Sequence, residues 1–103
     1  MLEWDKDTTV NGDFYIHKNT LNTYIGRSEY EVAKHDDVDE LKRLADVYVR
    51  LLMGAIEYSG LDSIDLVIFP QTRELEVLLK GSPFYGKTID YKEFIEYYKK
   101  LED

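Results

Sequence analysis

The sequence predicts an α+β fold in which one mostly antiparallel sheet of about five strands packs against two helices, in the order strands, helix, strands, helix. Three observations predict it. Short segments with period-two patterning lie on both sides of a long stretch at helical spacing, hairpin-type turn residues join neighbouring strands, and a second helical stripe closes the chain. With 103 residues, 44% of them apolar and 14% aromatic, the chain suits one compact domain over 1–103 with one core. No linker, repeat or low-complexity stretch divides it.

Residues Thr8 to Ile16 place Asn11-Gly12 between β-prone runs. That dipeptide supplies the positive φ angles of a type I′ turn, so a hairpin is expected there. Leu21 to Ala33 reads as a further extended piece broken near Gly26, because Glu29, Tyr30, Glu31 and Val32 alternate between polar and apolar. From Asp37 the spacing becomes helical: Leu41, Leu44, Ala45, Tyr48, Leu51, Leu52, Ala55 and Ile56 form one stripe. Asp36, Asp37, Asp39 and Glu40 stand at the positive end of that helix dipole, and Gly60 follows Ser59 where a C-terminal cap belongs. Val47, Val49 and Met53 fall off the stripe, which predicts a helix packed on two sides or one that lends a face to a homodimer.

Leu61 to Phe69 reads as a strand stopped by Pro70, and Arg73 to Lys80 as its antiparallel neighbour, with Leu75, Val77 and Leu79 on one face and Pro70-Gln71-Thr72 turning between them. Asp90 is the expected cap of the last helix. Glu93 would complete a capping box, and Tyr91, Phe94, Ile95, Tyr98 and Leu101 form the buried stripe.

Twenty-one acidic residues against thirteen basic ones give a net charge of -8, spread as -3, -2 and -3 over residues 1–36, 37–60 and 61–103. Such a surface repels nucleic acid and anionic membranes. It attracts basic proteins within about 8 Å, the Debye length at physiological salt. The chain has no Cys, so disulfides, thiolate metal sites and thiol nucleophiles are excluded, and a reducing compartment, the cytoplasm, is expected. Met1 to Asp5 lack a basic start and an apolar run, and no stretch of about 18 apolar residues occurs, so neither export nor membrane insertion is expected.

The sharpest motif is Gly81-Ser82-Pro83-Phe84-Tyr85-Gly86-Lys87-Thr88, which satisfies the phosphate-loop pattern between a predicted strand and a predicted helix. In a working loop the backbone around Gly81 and Gly86 would cradle phosphate, Lys87 would reach the outer phosphates and Thr88 would ligate magnesium. Pro83 removes one cradle donor, the incoming strand reads as antiparallel, and no later strand ends in an Asp to hold the metal. A plain strand-to-helix connector is therefore favoured, with nucleotide binding as the alternative function. On the same loop Phe84 and Tyr85 are candidate anchors for a partner pocket, or else a lid over the core.

Catalysis finds no constellation. His17 and His35 have no nucleophile or metal-ligand spacing around them. Asp5-Lys6-Asp7 followed by Asn11-Gly12-Asp13 fails the calcium-loop register, which needs Gly where Val10 stands. No metal and no cofactor is expected.

Acidic residues do recur two apart in extended segments: Asp5 and Asp7, Glu29 and Glu31, Glu74 and Glu76. Period two puts each pair on one face about 6.8 Å apart, of the order of the phosphate spacing along a nucleic-acid strand. If these strands share one sheet, its outer face is a negative grid with Asp62 and Asp65 at the margin. The bland reading is a solvated face that keeps the chain soluble. The functional reading is a partner-binding surface formed by Glu29, Glu31, Asp62, Asp65, Glu74, Glu76, Phe84 and Tyr85. It covers a basic functional surface of a larger protein, such as a nuclease or another nucleic-acid-binding enzyme. Phage-encoded blockers of nucleic-acid enzymes and immunity proteins against nuclease toxins share this charge and this lack of catalytic residues, an analogy of composition only.

Overall fold

The computed structural model describes residues 10–11, 14–25 and 27–102. Strands β1 (Val10–Asn11), β2 (Phe14–His17), β3 (Thr20–Ile25) and β4 (Ser28–Lys34) form an antiparallel meander in chain order. Helix α1 (Val38–Ser59) follows. A single 3-10 turn at Ser63–Asp65 then leads into a second antiparallel sheet of β5 (Leu66–Phe69), β6 (Glu74–Val77) and β7 (Thr88–Asp90), and α2 (Tyr91–Glu102) completes the fold. The α+β class and the two helices are as the sequence predicts. The single sheet of about five strands is corrected to two antiparallel sheets with α1 between them in the chain, seven strands counting the two-residue β1.

A side-chain contact joins the two sheets where a ladder would otherwise run. Lys34, on the free edge of β4, meets the β5–β6 turn instead of a strand, and there the Gln71 side-chain amide stands in for a peptide group. Gln71 Nε2 donates to the Lys34 carbonyl at 2.9 Å, and the Lys34 N–H donates to Gln71 Oε1 at 3.4 Å. The Lys34 backbone, at the end of that edge, is thereby satisfied without a ladder.

Within the first sheet Asn11 belongs to β1 and lies opposite Phe14. Gly12 and Asp13 lie outside the described residues, as do Thr8, Thr9, the Asp5 and Asp7 pair, and the expected break at Gly26. Leu21 lies opposite Ala33 and Asn22 opposite Glu31, which leaves Val32 as the extra residue of a bulge. Both Val32 and Ala33 are consequently buried, which strict alternation would forbid. The β2–β3 turn runs through Lys18, a non-glycine residue at φ 54°.

Helix α1 begins where the sequence places it. Asp37 accepts the Asp39 N–H at 2.9 Å, and Gly60 at φ 73° donates its N–H to the Ile56 carbonyl at 2.8 Å. The helix touches β2, β3 and β4 of the first sheet, β5 of the second, and α2. Leu41, Leu44, Ala45, Val47, Tyr48, Leu51 and Ala55 are buried, so Val47 off the main stripe belongs to a helix covered on more than one side. The Phe14 ring meets Tyr48 edge-on at 5.4 Å, and burial pushes the Tyr48 phenol up to about 12. Leu21, Leu41, Leu66, Ile68, Leu75, Val77 and Phe94 are fully enclosed, so both sheets and both helices contribute to one core.

Two expected core positions are corrected. Strand β6 ends at Val77, where the Leu78 N–H turns to the Asp65 carbonyl at 2.8 Å, so Leu79 is exposed. Leu101, in the last turn of α2, is 66% exposed. Asp90 does cap α2, accepting the Lys92 N–H at 3.0 Å, but among the described residues Glu93 makes no return bond. No helix among the described residues is long and apolar enough to cross a membrane.

Gly54 sets the approach of α2 to α1. A Cβ there would collide with Tyr91 Oη, while the next nearest Tyr91 atom lies at 3.6 Å. Gly54→Ala should therefore lose about 1 kcal/mol or more in denaturant unfolding, although Ala is favoured over Gly by about that amount in a free helix. Adding Tyr91→Phe removes the colliding oxygen and should return stability to the wild-type value or above it.

Candidate functional site

The acidic pairs do not share a sheet. Glu29 and Glu31 lie on β4 of the first sheet, and Glu74 and Glu76 on β6 of the second, so the continuous negative grid expected from the sequence is split. The two halves differ in what surrounds the charges.

On the first sheet the pairing rows Tyr15–Asn22–Glu31 and Tyr24–Glu29 bring the carboxylates beside tyrosines. The Tyr15 phenol hydrogen-bonds Glu29, and that bond, with partial desolvation and the nearby negative charge, pushes the phenol up to about 12. Its ring lies 5.7 Å from that of Tyr24. Glu31 pairs with Lys34 at 3.3 Å, with both side chains largely exposed. Glu31 thus has a cationic partner, while Glu29 has a neutral hydrogen-bond partner that leaves its charge in place.

On the second sheet the strands are short and strictly antiparallel. Leu66, Ile68, Leu75 and Val77 point inward and are buried. The opposite face is then fixed by register in two rows, Val67–Glu76–Thr88 and Phe69–Glu74–Asp90. Glu74 and Asp90, both acidic, are direct cross-strand neighbours, an arrangement that costs stability when nothing compensates it. Val67, Phe69, Glu74 and Glu76 are all half-buried. Among the described residues Lys34 pairs with Glu31 and Arg43 with Glu40, and none of Glu74, Glu76 and Asp90 is in an ion pair. Beside them Val32, Phe69, Gln71, Thr72, Glu74 and Thr88 line a groove of about 320 Å³.

The margin residues are occupied with their own turn. Asp62 Oδ1 accepts from the Ile64 N–H at 3.5 Å and from Ser63 Oγ at 3.4 Å, and the Asp65 carbonyl holds Leu78. Asp65 is half-buried where β5 begins.

The phosphate-loop match takes a form that cannot cradle phosphate. Its amides are turned inward: Ser82 N–H to the Leu79 carbonyl at 3.0 Å, Phe84 N–H to Ser82 Oγ at 3.1 Å, Tyr85 N–H to the Ser82 carbonyl at 3.1 Å and Lys87 N–H to the Phe84 carbonyl at 3.1 Å. Gly86, at φ 74°, donates to the Val77 carbonyl at 3.3 Å. Thr88 lies in β7 opposite Glu76, and α2 starts only at Tyr91, so no helix N-terminus faces the loop. The segment joins two strands. That corrects both the nucleotide reading of Gly81, Gly86, Lys87 and Thr88 and the expected direct step from strand to helix.

Phe84 is likewise corrected as a partner anchor. Its ring sits 4.9 Å from Tyr97, 5.4 Å from Phe94 and 6.3 Å from Tyr98, half-buried over α2, so it closes the core. Tyr85 next to it stays 46% exposed. His35 is structural, its Nδ1 accepting the Asp37 N–H at 2.9 Å ahead of α1, and His17 is exposed at the end of β2. Among the described residues no group of three or more His, Asp or Glu could hold a metal ion.

Val67, Phe69 and Asp90 are the members of the second acidic face that sequence reasoning missed. Period two in Leu66–Phe69 signals that Val67 and Phe69 share a face, but only the β5–β6–β7 register sets that face beside the acids.

Phe84→Ala should cost about 2 kcal/mol in thermal or denaturant unfolding, whereas Tyr85→Ala and Lys87→Ala stay within about 0.5 kcal/mol. Calorimetry with ATP and magnesium should give no saturable heat; a heat lost in Lys87→Ala would contradict this account of the loop. No known family matches the chain, and no curated protein or solved structure is significantly similar to it, so its functional reading rests on these side chains and their charge.

Proposed function

We propose that this chain is a small acidic binding protein that covers a basic functional surface of a larger protein through the outer face of β5, β6 and β7. The observation that supports it is the set Glu74, Glu76 and Asp90, held in adjacent rows beside half-buried Val67 and Phe69 with no Lys or Arg paired to them. Acids kept side by side in one protein repel. A basic partner turns that repulsion into attraction, and the apolar residues give the contact a desolvated centre that slows dissociation. Glu29 and Glu31 contribute at longer range, and Tyr85 at the rim. The partner class that fits a molecule of charge -8 is a nuclease or another enzyme whose active surface is basic because it handles nucleic acid.

A homodimer is the second reading, and Met53, 61% exposed on α1, is the observation that favours it.

Surface-binding kinetics against a panel of basic nucleic-acid enzymes, nucleases included, at two salt concentrations test the choice. The wild type should bind at least one member saturably, with association that slows as salt rises. Glu74→Lys with Glu76→Lys should weaken that binding tenfold or more, about 1.4 kcal/mol, mainly by slowing association. The protein alone should show no gel shift of DNA or RNA at about 150 mM salt, lacking the basic patch that counterion release requires. Absence of saturable binding across the panel, or binding untouched by the reversals but abolished by Met53→Asp, would overturn the proposal.

A further inference from the structure

We propose that the groove between Phe69 and Glu74 is a seat for one arginine side chain of the partner, an inference that rests on the second-sheet face being the binding surface. The groove's lining sets the chemistry of its occupant. Val32 and Phe69 supply its apolar lining, Glu74 supplies the carboxylate, and Thr72 and Thr88 add hydroxyls, with the Gln71 amide held by the Lys34 backbone. Its volume of about 320 Å³ is at the small end for a ligand pocket, room for one long side chain and not for a large cofactor.

The charge around it is one-sided. Asp90 is opposite Glu74 across β6 and β7, Glu76 lies two residues along β6, and Glu31 adjoins Val32. The basic residues adjoining the groove are directed elsewhere or unpaired to it. Arg73 lines a separate cavity with His35, Glu40 and Arg43, Lys34 pairs with Glu31, and Lys87 makes no ion pair with Glu74. An incoming side chain therefore needs a long apolar stem, a positive head, and donors for carboxylate and hydroxyl oxygens together.

Arginine meets these needs better than lysine. Its guanidinium is planar, so it can lie over the Phe69 ring while its edge donates to Glu74 and the threonine hydroxyls. It is also more weakly hydrated than an ammonium group, which lowers the cost of entering an apolar groove. The bulge in β4 builds part of the seat, since the extra residue it introduces is Val32.

Titration of the isotope-labelled protein with argininamide and with lysinamide, followed by amide NMR, tests this directly. Argininamide should shift Phe69, Gln71, Thr72, Glu74 and Thr88 together and saturate at millimolar concentration, with lysinamide at least about threefold weaker. Glu74→Gln and Phe69→Leu, the latter keeping the apolar packing without the aromatic face, should each weaken argininamide by about fivefold or more. Glu57→Gln, on exposed α1 surface, should not change it. Shifts spread over all acidic residues without saturation, equal binding of the two amides, or indifference to Phe69→Leu would overturn the seat. Failure of the seat and failure of the parent reading separate cleanly. If enzyme binding needs Glu74 and Glu76 but argininamide does not saturate, the face stands and the seat falls. If argininamide saturates but no basic enzyme binds, the seat stands and the partner class falls.

Discussion

Burial of α1 is the constraint on which the rest of the structure depends. A helix of 22 residues with seven apolar side chains buried cannot be covered by one small sheet. The chain answers with two sheets and a second helix, each placing its apolar side where α1 or the shared core can use it. The absence of a Cβ at Gly54 lets Tyr91 lie against the helix, and Lys99 of α2 sits 5.3 Å over the Tyr58 ring near the same end. Fully burying a Leu, Ile, Val or Phe is worth roughly 1.5 to 3 kcal/mol, so the seven fully enclosed side chains outweigh any surface ion pair in this molecule.

That division of labour decides which charges are left over. Because the inner faces of both sheets are committed to the core, every acid on a strand must point outward, and its fate depends on its neighbours there. The first sheet supplies Tyr15 to Glu29 and Lys34 to Glu31. The second supplies another acid, Asp90, and a phenylalanine. Folding accounts for Asp90, whose carboxylate caps α2, but not for Glu74 beside it next to a half-buried aromatic ring. The proposed contact with a basic partner would use both acids.

Much of this was legible in the sequence, and the failures share one cause. Helix α1 was readable to its caps because Asp37, the 3.6-residue stripe and Gly60 are all local signals. Strands β2 to β6 follow from alternation and turn residues, but which of them share a ladder does not, since two sets of short strands carry the same period. At their boundary Gln71 reaches Lys34, a contact across 37 residues with no local signature. Strand β7 has three residues, too few for a period, and Asp90 serves both as its end and as the cap of α2. The phosphate-loop pattern fits in letters and fails in backbone, because its amides are spent on turns and a strand separates it from the helix. Spacing could mark Glu74 and Glu76 as a pair; only register could add Phe69 and Asp90.

The central claim is that Glu74 is kept beside the Asp90 carboxylate for binding and at some cost to folding. Denaturant unfolding of Glu74→Gln against the wild type, at low and at high salt, measures that cost most directly. The account predicts that the substitution stabilises the isolated protein by roughly 0.2 to 1 kcal/mol at low salt, and that the gain shrinks as salt screens the repulsion. A loss of stability on the same substitution, unchanged by salt, would mark Glu74 as a structural residue and contradict the account.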